Sequence, residues 1–326
     1  MKNITINDIA KMAGVAKSTV SRYLNGGNVS IDTSKKIKKI IDEYNYEPNL
    51  FAQSLKAKKT KLIGVIAPRL DSVVTSRALM ALDEDLKSQG YTLLILNTSL
   101  DQSLELEYLQ MLPRLKVDGI ILLATEISKK HQAILQKIKL PTLIVGQKCN
   151  ELNSIIDDDY AAGQIVGQHI LSNGHKNILY IGVSNNDIAV GINRRNGVLD
   201  ALKQDASIHV DVLTSDFTDK VSKNLTLQYL TDHQPTAIIC ATDRIAIGAM
   251  NAVKQLNLNV GEDISVTGFG GYDHLSVKLT TIRFNSEMTG RLAATTIIDM
   301  IEEKDVPQLQ ITDFKFIEGT TVKNIN

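Results

Sequence analysis

The stretch that decides the fold is Thr5 to Asn25, with the sequence TINDIAKMAGVAKSTVSRYLN. Its first apolar residues recur at i, i+3, i+4 and i+7, the stripe of a short amphipathic helix: Ile6, Ile9, Ala10 and Ala13. Thr5 precedes this stripe in the N-cap position. Gly14 follows it and supplies the permissive backbone of a tight turn. The stretch therefore predicts a capped helix that ends in a turn.

A second helix is predicted after that turn, with Val20, Tyr23 and Leu24 facing inward. Its opposite face carries hydroxyl, amide and cationic groups: Lys17, Ser18, Ser21, Arg22 and Asn25. Such groups reach base edges and phosphates in a major groove. Two short helices joined by a glycine-containing turn predict a helix-turn-helix, although any small helical hairpin with a solvated face would share this pattern.

The charge distribution agrees with a nucleic-acid-binding head. The whole chain of 326 residues has a net charge of zero. Residues 1 to 61 contain 12 Lys and Arg against 5 Asp and Glu, whereas the remainder contains 24 against 31. A head of charge +7 on a body of charge −7 indicates a DNA reader joined to a regulatory part of another kind. A third helix is predicted from Ser30 to Tyr44, with its lysines outside.

The N-terminal stretch resembles the DNA-binding domain of the LacI/GalR family of bacterial repressors. The motifs that carry the resemblance are Asp8-Ile9-Ala10, Ala13-Gly14-Val15, Thr19-Val20-Ser21-Arg22 and Leu24-Asn25. The resemblance implies sequence-specific binding to double-stranded operator DNA. The head residues expected to contact DNA are Thr5, Lys17, Ser18, Thr19, Ser21, Arg22 and Asn25.

A short segment from Tyr46 to Lys56 follows the head. Pro48 bars continuation of the preceding helix, and about two turns are too few for a stable helix alone in water. The segment resembles the hinge helix of the family, which packs against its dimer mate in the minor groove. The resemblance implies that Leu55 wedges between base steps and that Asn49 and Ala52 face the DNA backbone. Lys56, in the basic stretch that follows, is also expected to contact DNA. An ordinary linker is the alternative interpretation.

From Leu62 onward, strand-length apolar runs alternate with helical segments in two successive sets. Unbroken runs of Ile, Val and Leu are typical of parallel sheets that are buried on both faces. Residues 61 to 326 also resemble the periplasmic-binding-protein-like effector domain of the family, for example at Val117-Asp118-Gly119-Ile120-Ile121 and Asp263-Ile264-Ser265-Val266-Thr267. The predicted fold class is a small all-α helix-turn-helix head on an α/β body of two doubly wound subdomains.

The sequence predicts three domain segments: residues 1–46 for DNA binding, 47–60 for the hinge, and 61–326 for effector binding and dimerisation. Within the last, subdomain one is expected at about 61–158 plus 286–309. Subdomain two is expected at about 159–285 plus 310–326. The split follows from the family topology, in which the chain crosses between subdomains more than once, so that the helix from Ser286 returns to the first.

Ligands of doubly wound sheets bind at the carboxyl ends of strands. The candidate effector residues at such ends are Arg69, Asp71, Ser72, Gln147, Lys148, Arg194, Arg195 and Asp243. Arg194 begins the R-x-x-G motif whose arginine contacts effector in the family, and Asp243 matches a ligand-contacting aspartate. Asp243 is also a candidate N-cap of the next helix, and Arg69 with Asp71 can equally form a surface salt bridge.

One departure from the family pattern bears on the effector. Gly270 and Gly271 stand where an aspartate commonly binds a sugar hydroxyl, and Asp273 is the candidate substitute. With that carboxylate absent, we expect cations to exceed carboxylates in the cleft and a phosphorylated sugar to bind there. Sucrose 6-phosphate is favoured and trehalose 6-phosphate comes second, since the stretch Pro68–Ser72 and the run Gly268–Tyr272 resemble those of sucrose-operon and trehalose-operon repressors.

Several classes of function are disfavoured by the sequence. It has no G-x-S-x-G, Walker or Cys/His metal motif, so we expect no enzyme, cofactor or metal. No apolar run reaches membrane-spanning length. The first residues lead directly into the predicted first helix, which argues against a secretory leader and hence against a secreted sugar-binding protein without a DNA role. Cys149 and Cys240 form no motif and suit a reducing cytoplasm.

The function predicted from sequence is a cytoplasmic, homodimeric repressor of a carbohydrate-utilisation operon, with a tetramer left open. A sugar phosphate would release it from DNA. The alternative is a catabolite-control regulator that uses a phosphocarrier protein as corepressor.

Overall fold

The computed structural model describes residues 4–24, 26–46, 59–273 and 277–326. The chain divides into two compact units, Met1–Thr60 and Lys61–Asn326. The predicted contacts at Asn25, Asn49, Ala52, Leu55 and Lys56 lie outside the described residues.

The described residues of the N-terminal unit form three helices, α1 (Ile6–Ala13), α2 (Lys17–Leu24) and α3 (Ile31–Tyr44). Their shared core consists of five buried apolar side chains: Ile9, Ala10, Ala13, Val20 and Ile37. Tyr23 and Leu24 are partly buried and pack against this core. Thr5 is the N-cap of α1, as predicted: its hydroxyl accepts from the Asp8 amide and its own amide donates to the Asp8 carboxylate. Gly14 ends α1 at φ 65°, in the left-handed region that favours glycine.

The second unit contains two six-stranded sheets. The strands of the first are β1 (Leu62–Ala67), β2 (Thr92–Asn97), β3 (Gly119–Leu123), β4 (Thr142–Val145), β5 (Ser154–Asp157) and β11 (Leu309–Thr312). Their spatial order is β11-β5-β4-β3-β1-β2, with every pairing parallel. The helices of this subdomain are α4 (Val73–Ser88), α5 (Gln102–Met111), α6 (Lys129–Leu135) and α11 (Ser286–Ile301).

The second sheet has strands β6 (Asn177–Gly182), β7 (His209–Thr214), β8 (Ala237–Cys240), β9 (Ser265–Phe269), β10 (Thr280–Phe284) and β12 (Phe314–Ile317). Their order is β12-β10-β9-β8-β6-β7, in which only β12 is antiparallel to its neighbour. Its helices are α7 (Asp159–Ser172), α8 (Arg195–Leu202), α9 (Asp219–Asp232) and α10 (Asp243–Gln255), and a π-helix (Ile188–Arg194) runs directly into α8.

Helix α11 returns to the first subdomain, as the sequence predicted. Ala293, Ala294 and Ile297 of this helix belong to the same buried cluster as Ile63 and Leu143. Gly290 permits the close approach, because a Cβ at this position would lie 2.1 Å from the carbonyl oxygen of Ala78 on α4. Because Gly290 has no β-carbon, the backbone of α4 packs directly against α11 at this position.

The predicted boundary at residue 310 is wrong by a few residues. Strand β11 pairs in parallel with β5, with Gln310 opposite Ile155 and Thr312 opposite Asp157. Residues 310–312 therefore belong to the first sheet, and the chain crosses to the second at Asp313 before β12 begins. The alternating tail gave no signal for this division, because two short strands separated by a single residue have the pattern of one longer strand.

Within the part of the chain that the structure describes, no helix has the length and apolarity needed to span a membrane.

Candidate DNA-binding face and effector cavity

Five of the seven head residues predicted to contact DNA lie on α2, and Thr5 precedes α1. Lys17, Ser18 and Arg22 of α2 are exposed, whereas Thr19 and Ser21 are half-buried. Val20 is fully buried beneath them against Ile9 and Ile37. Because the apolar side chains of α2 pack into the core of the head, its polar side chains point towards solvent. A helix that reads DNA bases must present its polar side chains in this way. Thr5 is exposed, and its hydroxyl serves the α1 cap described above.

A cavity of about 200 Å³ lies between the two sheets of the second unit. Residues that follow β1, β3, β4, β5, β8, β9 and β10 line it, so it occupies the carboxyl ends of parallel strands. Three of the predicted effector residues line this cavity, namely Arg69, Ser72 and Arg194. Ser72 is also the N-cap of α4, where its hydroxyl accepts from the Thr75 amide at 3.3 Å.

Arg194 is buried, and each of its three side-chain nitrogens donates a hydrogen bond. Its Nε and Nη2 lie 2.9 and 2.5 Å from Oδ1 of Asp159, and its Nη1 donates to the Ala241 carbonyl at 2.5 Å. The rings of Phe269 and Phe284 lie 4.8 and 4.9 Å from its guanidinium carbon. The surrounding groups fix the guanidinium plane, so that Arg194 and Asp159 present one rigid donor–acceptor pair to the cavity.

Asp243 is fully buried and does not line the cavity. Its Oδ1 accepts from the Thr281 hydroxyl at 2.6 Å and its Oδ2 from the Tyr272 amide at 2.8 Å. Burial raises its pKa to about 6. The helix cap considered for Asp243 belongs instead to Thr242, which accepts from the Ile245 amide. Asp243 thus positions the Gly270–Tyr272 turn, and Tyr272 lines the cavity.

Four other predicted effector residues lie outside the cavity lining. Gln147 is buried, and Lys148 is exposed. Arg195 donates to Asn185 at 2.9 Å. Asp273 pairs with Arg77 at 2.6 Å and with Arg283. It therefore links the subdomains and does not replace the missing sugar-binding carboxylate.

Asp71 also lies outside the cavity lining, but it pairs with two arginines that belong to the lining. Its carboxylate accepts from Arg69 Nε at 2.9 Å and from Arg244 Nη1. The hydrogen bond from Arg69, together with Arg244, holds the pKa of Asp71 below its usual value. Arg69 also lies over the ring of Phe217, 4.7 Å from its centroid. The two guanidiniums therefore face each other across the mouth of the cavity.

The expected excess of cations in the cleft is wrong. Among the described residues that line the cavity, three carboxylates oppose three guanidiniums: Asp157, Asp159 and Asp187 against Arg69, Arg194 and Arg244. Burial raises the pKa values of Asp157 and Asp187 to about 6. Strand β5 had not been predicted, and it delivers Asp157 to the cavity edge. The acidic run Asp157–Asp159 follows an apolar segment, and this pattern could have indicated carboxylates at the end of a strand.

The charged residues of the lining differ in their partners. Asp159 and Arg194 pair with each other, so together they offer donors and acceptors that suit hydroxyl groups. Arg69 and Arg244 instead share the carboxylate of Asp71, which lies outside the lining. A few convergent polar groups on a largely apolar lining are typical of small-molecule sites.

Two family models match the chain. Residues 5–49 match the model for bacterial regulatory proteins of the lacI family, and residues 60–320 match that for periplasmic binding proteins and the sugar binding domain of the LacI family. The chain therefore belongs to the LacI family, and it is a DNA-binding transcriptional repressor of that family.

Relatives of known name agree with this assignment. The chain is 38% identical to the sucrose operon repressor of Staphylococcus xylosus, over 96% of this chain and 98% of that protein. It is 32% identical to the transcriptional repressor PurR of Pectobacterium atrosepticum, over 92% and 91%. The lac repressor dimer bound to operator and an anti-inducer superposes with a TM-score of 0.87 at 25% identity, over 99% of this chain and 100% of that one. These relatives are regulators of transcription and not enzymes.

Proposed function

We propose that this repressor controls a carbohydrate-utilisation operon and is released from its operator by a phosphorylated sugar, sucrose 6-phosphate first and trehalose 6-phosphate second. The protein acts as a homodimer on operator DNA in the cytoplasm. The observation that carries the proposal is that one cavity is lined both by the Asp159–Arg194 pair and by two further guanidiniums, Arg69 and Arg244, which share Asp71. The similarity to a sucrose operon repressor supports the choice of sugar.

The sugar hydroxyls would bind the Asp159–Arg194 pair and Asp157. A carboxylate accepts from hydroxyls and a guanidinium donates to them, so one rigid pair can satisfy two adjacent hydroxyls. The phosphate would bind between Arg69 and Arg244. Arginine suits this role because its planar fork of donors matches phosphate oxygens.

Release from DNA requires that the ligand bind one arrangement of the subdomains better than another. Contacts already cross the cleft in this structure. Arg77 of α4 donates to the carbonyls of Gly270 and Gly271 at 3.2 and 2.9 Å, and the Ile188 amide donates to the Thr125 carbonyl at 3.0 Å. A ligand that contacts Arg69 on one wall and Arg194 on the other would shift the balance between such arrangements.

The test is a titration of operator-bound protein with sucrose, trehalose and the 6-phosphate of each, read by fluorescence anisotropy of labelled operator. Release by a sugar phosphate at concentrations where its parent sugar has no effect supports the proposal. Equal release by a neutral sugar contradicts it. Adding a phosphorylated phosphocarrier protein to the same assay tests the corepressor alternative, which requires tighter DNA binding in its presence.

A matched pair of variants locates the site. Arg194→Met removes a guanidinium that lines the cavity, whereas Arg195→Met removes its neighbour, which does not. We expect Arg194→Met to bind operator but to resist release, and Arg195→Met to respond as the wild type does. Thermal denaturation of both variants establishes that the folded protein is being compared.

A further inference from the structure

The mouth of the effector cavity holds an anion supplied by the protein itself. Asp71 places one carboxylate oxygen 2.9 Å from Nε of Arg69 and pairs the other with Nη1 of Arg244. The side chain of Asp71 is 58% exposed, whereas those of Arg69 and Arg244 are 15% and 30% exposed. The two cations are thus held by the cavity wall, and the anion between them is the part that faces water.

This bridge joins the two subdomains. Arg69 and Asp71 follow β1 of the first, and Arg244 lies in the first turn of α10 of the second. Each arginine has a second contact that fixes it without Asp71. Arg69 stacks on Phe217, and Nε of Arg244 lies 3.4 Å from Asp219. The guanidiniums would therefore keep their positions if the Asp71 carboxylate moved away.

We propose that Arg69 and Arg244 form an anion subsite and that Asp71 is its resident occupant, which the phosphate of the effector displaces. The proposal rests on the proposed function, since it takes the effector to be a phosphorylated sugar. A phosphate offers the same guanidinium pair more acceptor oxygens and more charge than a carboxylate does.

Displacement of Asp71 is feasible because its ion pairs are exposed. Exposed pairs between carboxylates and guanidiniums contribute little to stability, and the released carboxylate enters water directly. A neutral sugar has no group that can replace the carboxylate, so the bridge stays in place and the subsite remains filled. Asp71 thereby discriminates against unphosphorylated sugars, a selectivity achieved by competition as well as by attraction.

Asp71→Asn tests this directly, because asparagine has the same size and no charge. The affinities of wild type, Asp71→Asn and Arg244→Gln for inorganic phosphate, sucrose 6-phosphate and sucrose are measured by isothermal titration calorimetry. We expect Asp71→Asn to bind phosphate and sucrose 6-phosphate about tenfold more tightly, with sucrose unchanged. Arg244→Gln should lose the preference for the phosphorylated sugar. Asp83→Asn is the matched control, since Asp83 pairs with Lys87 on the surface of α4.

The two probes separate the inference from the function on which it rests. Inorganic phosphate that binds Asp71→Asn no more tightly than the wild type overturns the competitor role. A gain in phosphate affinity with no binding of sucrose 6-phosphate supports the subsite and contradicts sucrose 6-phosphate as the effector. Tightening of sucrose by the same factor as sucrose 6-phosphate overturns the inference, because a lost competitor for an anion cannot favour a neutral ligand.

Discussion

The head and the effector unit place their functional groups in opposite ways. In the head, the polar side chains of α2 stand on the surface while Val20 beneath them is fully buried. In the effector unit, the charged pair that lines the cavity is itself buried: the exposed fraction is 6% for Arg194 and 7% for Asp159. Exposed groups need only a helix to present them, whereas buried charges need partners that are fixed in three dimensions.

The difference predicts where substitutions are tolerated. On the head, removal of a functional side chain should alter DNA binding and leave folding almost unchanged. At the Asp159–Arg194 pair of the cavity, the same kind of change should cost stability as well as response to ligand, because the partner left behind is a buried charge.

The largest effect is expected at the Asp159–Arg194 pair. Arg194→Met and Asp159→Asn each break a buried pair that also holds the Ala241 carbonyl, so each should lower the free energy of unfolding by about 3–5 kcal/mol. Denaturant unfolding of the two single variants and the combined variant measures the coupling. We expect the combined variant to lose less than the sum of the single losses. Additive losses would show that the pair is not coupled and would weaken the contrast with the head.

A smaller effect concerns pH. Burial raises the pKa of Asp187 to about 6, above its value of 3.8 in the unfolded chain. The folded state therefore binds the proton more tightly, so this group contributes stability below pH 4 that is lost as the pH rises through 6. The slope is at most about 1.4 kcal/mol per pH unit for one group.

Asp187→Asn isolates that contribution. Asparagine can also cap the π-helix, where Asp187 now accepts from the Val190 amide at 3.0 Å. We expect the wild type to gain stability relative to the variant as the pH falls from 7 to 5. Asp232→Asn, at the exposed end of α9, is the control. A constant difference between wild type and Asp187→Asn across this range would contradict burial as the cause.

The head and the effector unit also differ in how much of their structure the sequence could predict. The head was predicted almost completely, since capping by Thr5, the turn at Gly14 and the apolar stripe are local patterns within about ten residues. The parallel strands and the return of α11 also followed, from apolar runs and from the family resemblance. Positions of most cavity charges did not follow, because their spacing along the chain says little about which groups meet in space.

Particular residues show why. Arg194 was identified as an effector residue, but its partner Asp159 lies 35 positions away and its contact at Ala241 lies 47 positions away. Asp71 and Asp273 are acidic residues near strand ends, and both were predicted to bind ligand. The structure pairs Asp273 with Arg77, and it pairs Asp71 with Arg244 as well as with its sequence neighbour Arg69. Only the fold brings Arg77 and Arg244 within reach.

Within the head, Arg22→Ala should weaken operator binding by roughly 1–3 kcal/mol if Arg22 binds a guanine through two hydrogen bonds, and should relax sequence preference. Lys39→Ala on α3 is the comparison, since a lysine that meets only phosphates should weaken binding to every sequence alike. Operator and scrambled DNA are titrated at two salt concentrations. Equal loss on both DNAs for Arg22→Ala would remove its role in reading bases.

The smallest effect is expected at Thr5, which caps α1 through a contact with Asp8, three residues away. The contacts of the cavity, by contrast, join residues that are distant in sequence. Thr5→Ala removes the hydroxyl that accepts from the Asp8 amide and should destabilise the head by about 1 kcal/mol. Thr5→Ser retains a capping hydroxyl and should behave nearly as the wild type.

Hydrogen exchange of the α1 amides measures local opening, and unfolding of the effector unit serves as the internal reference. A Thr5→Ala variant that protects the α1 amides as well as the wild type would show that the interior of the head, centred on Ile9, fixes this helix without its cap. If operator affinity falls in Thr5→Ala with unchanged protection, Thr5 contributes as a DNA contact and not through the helix it begins.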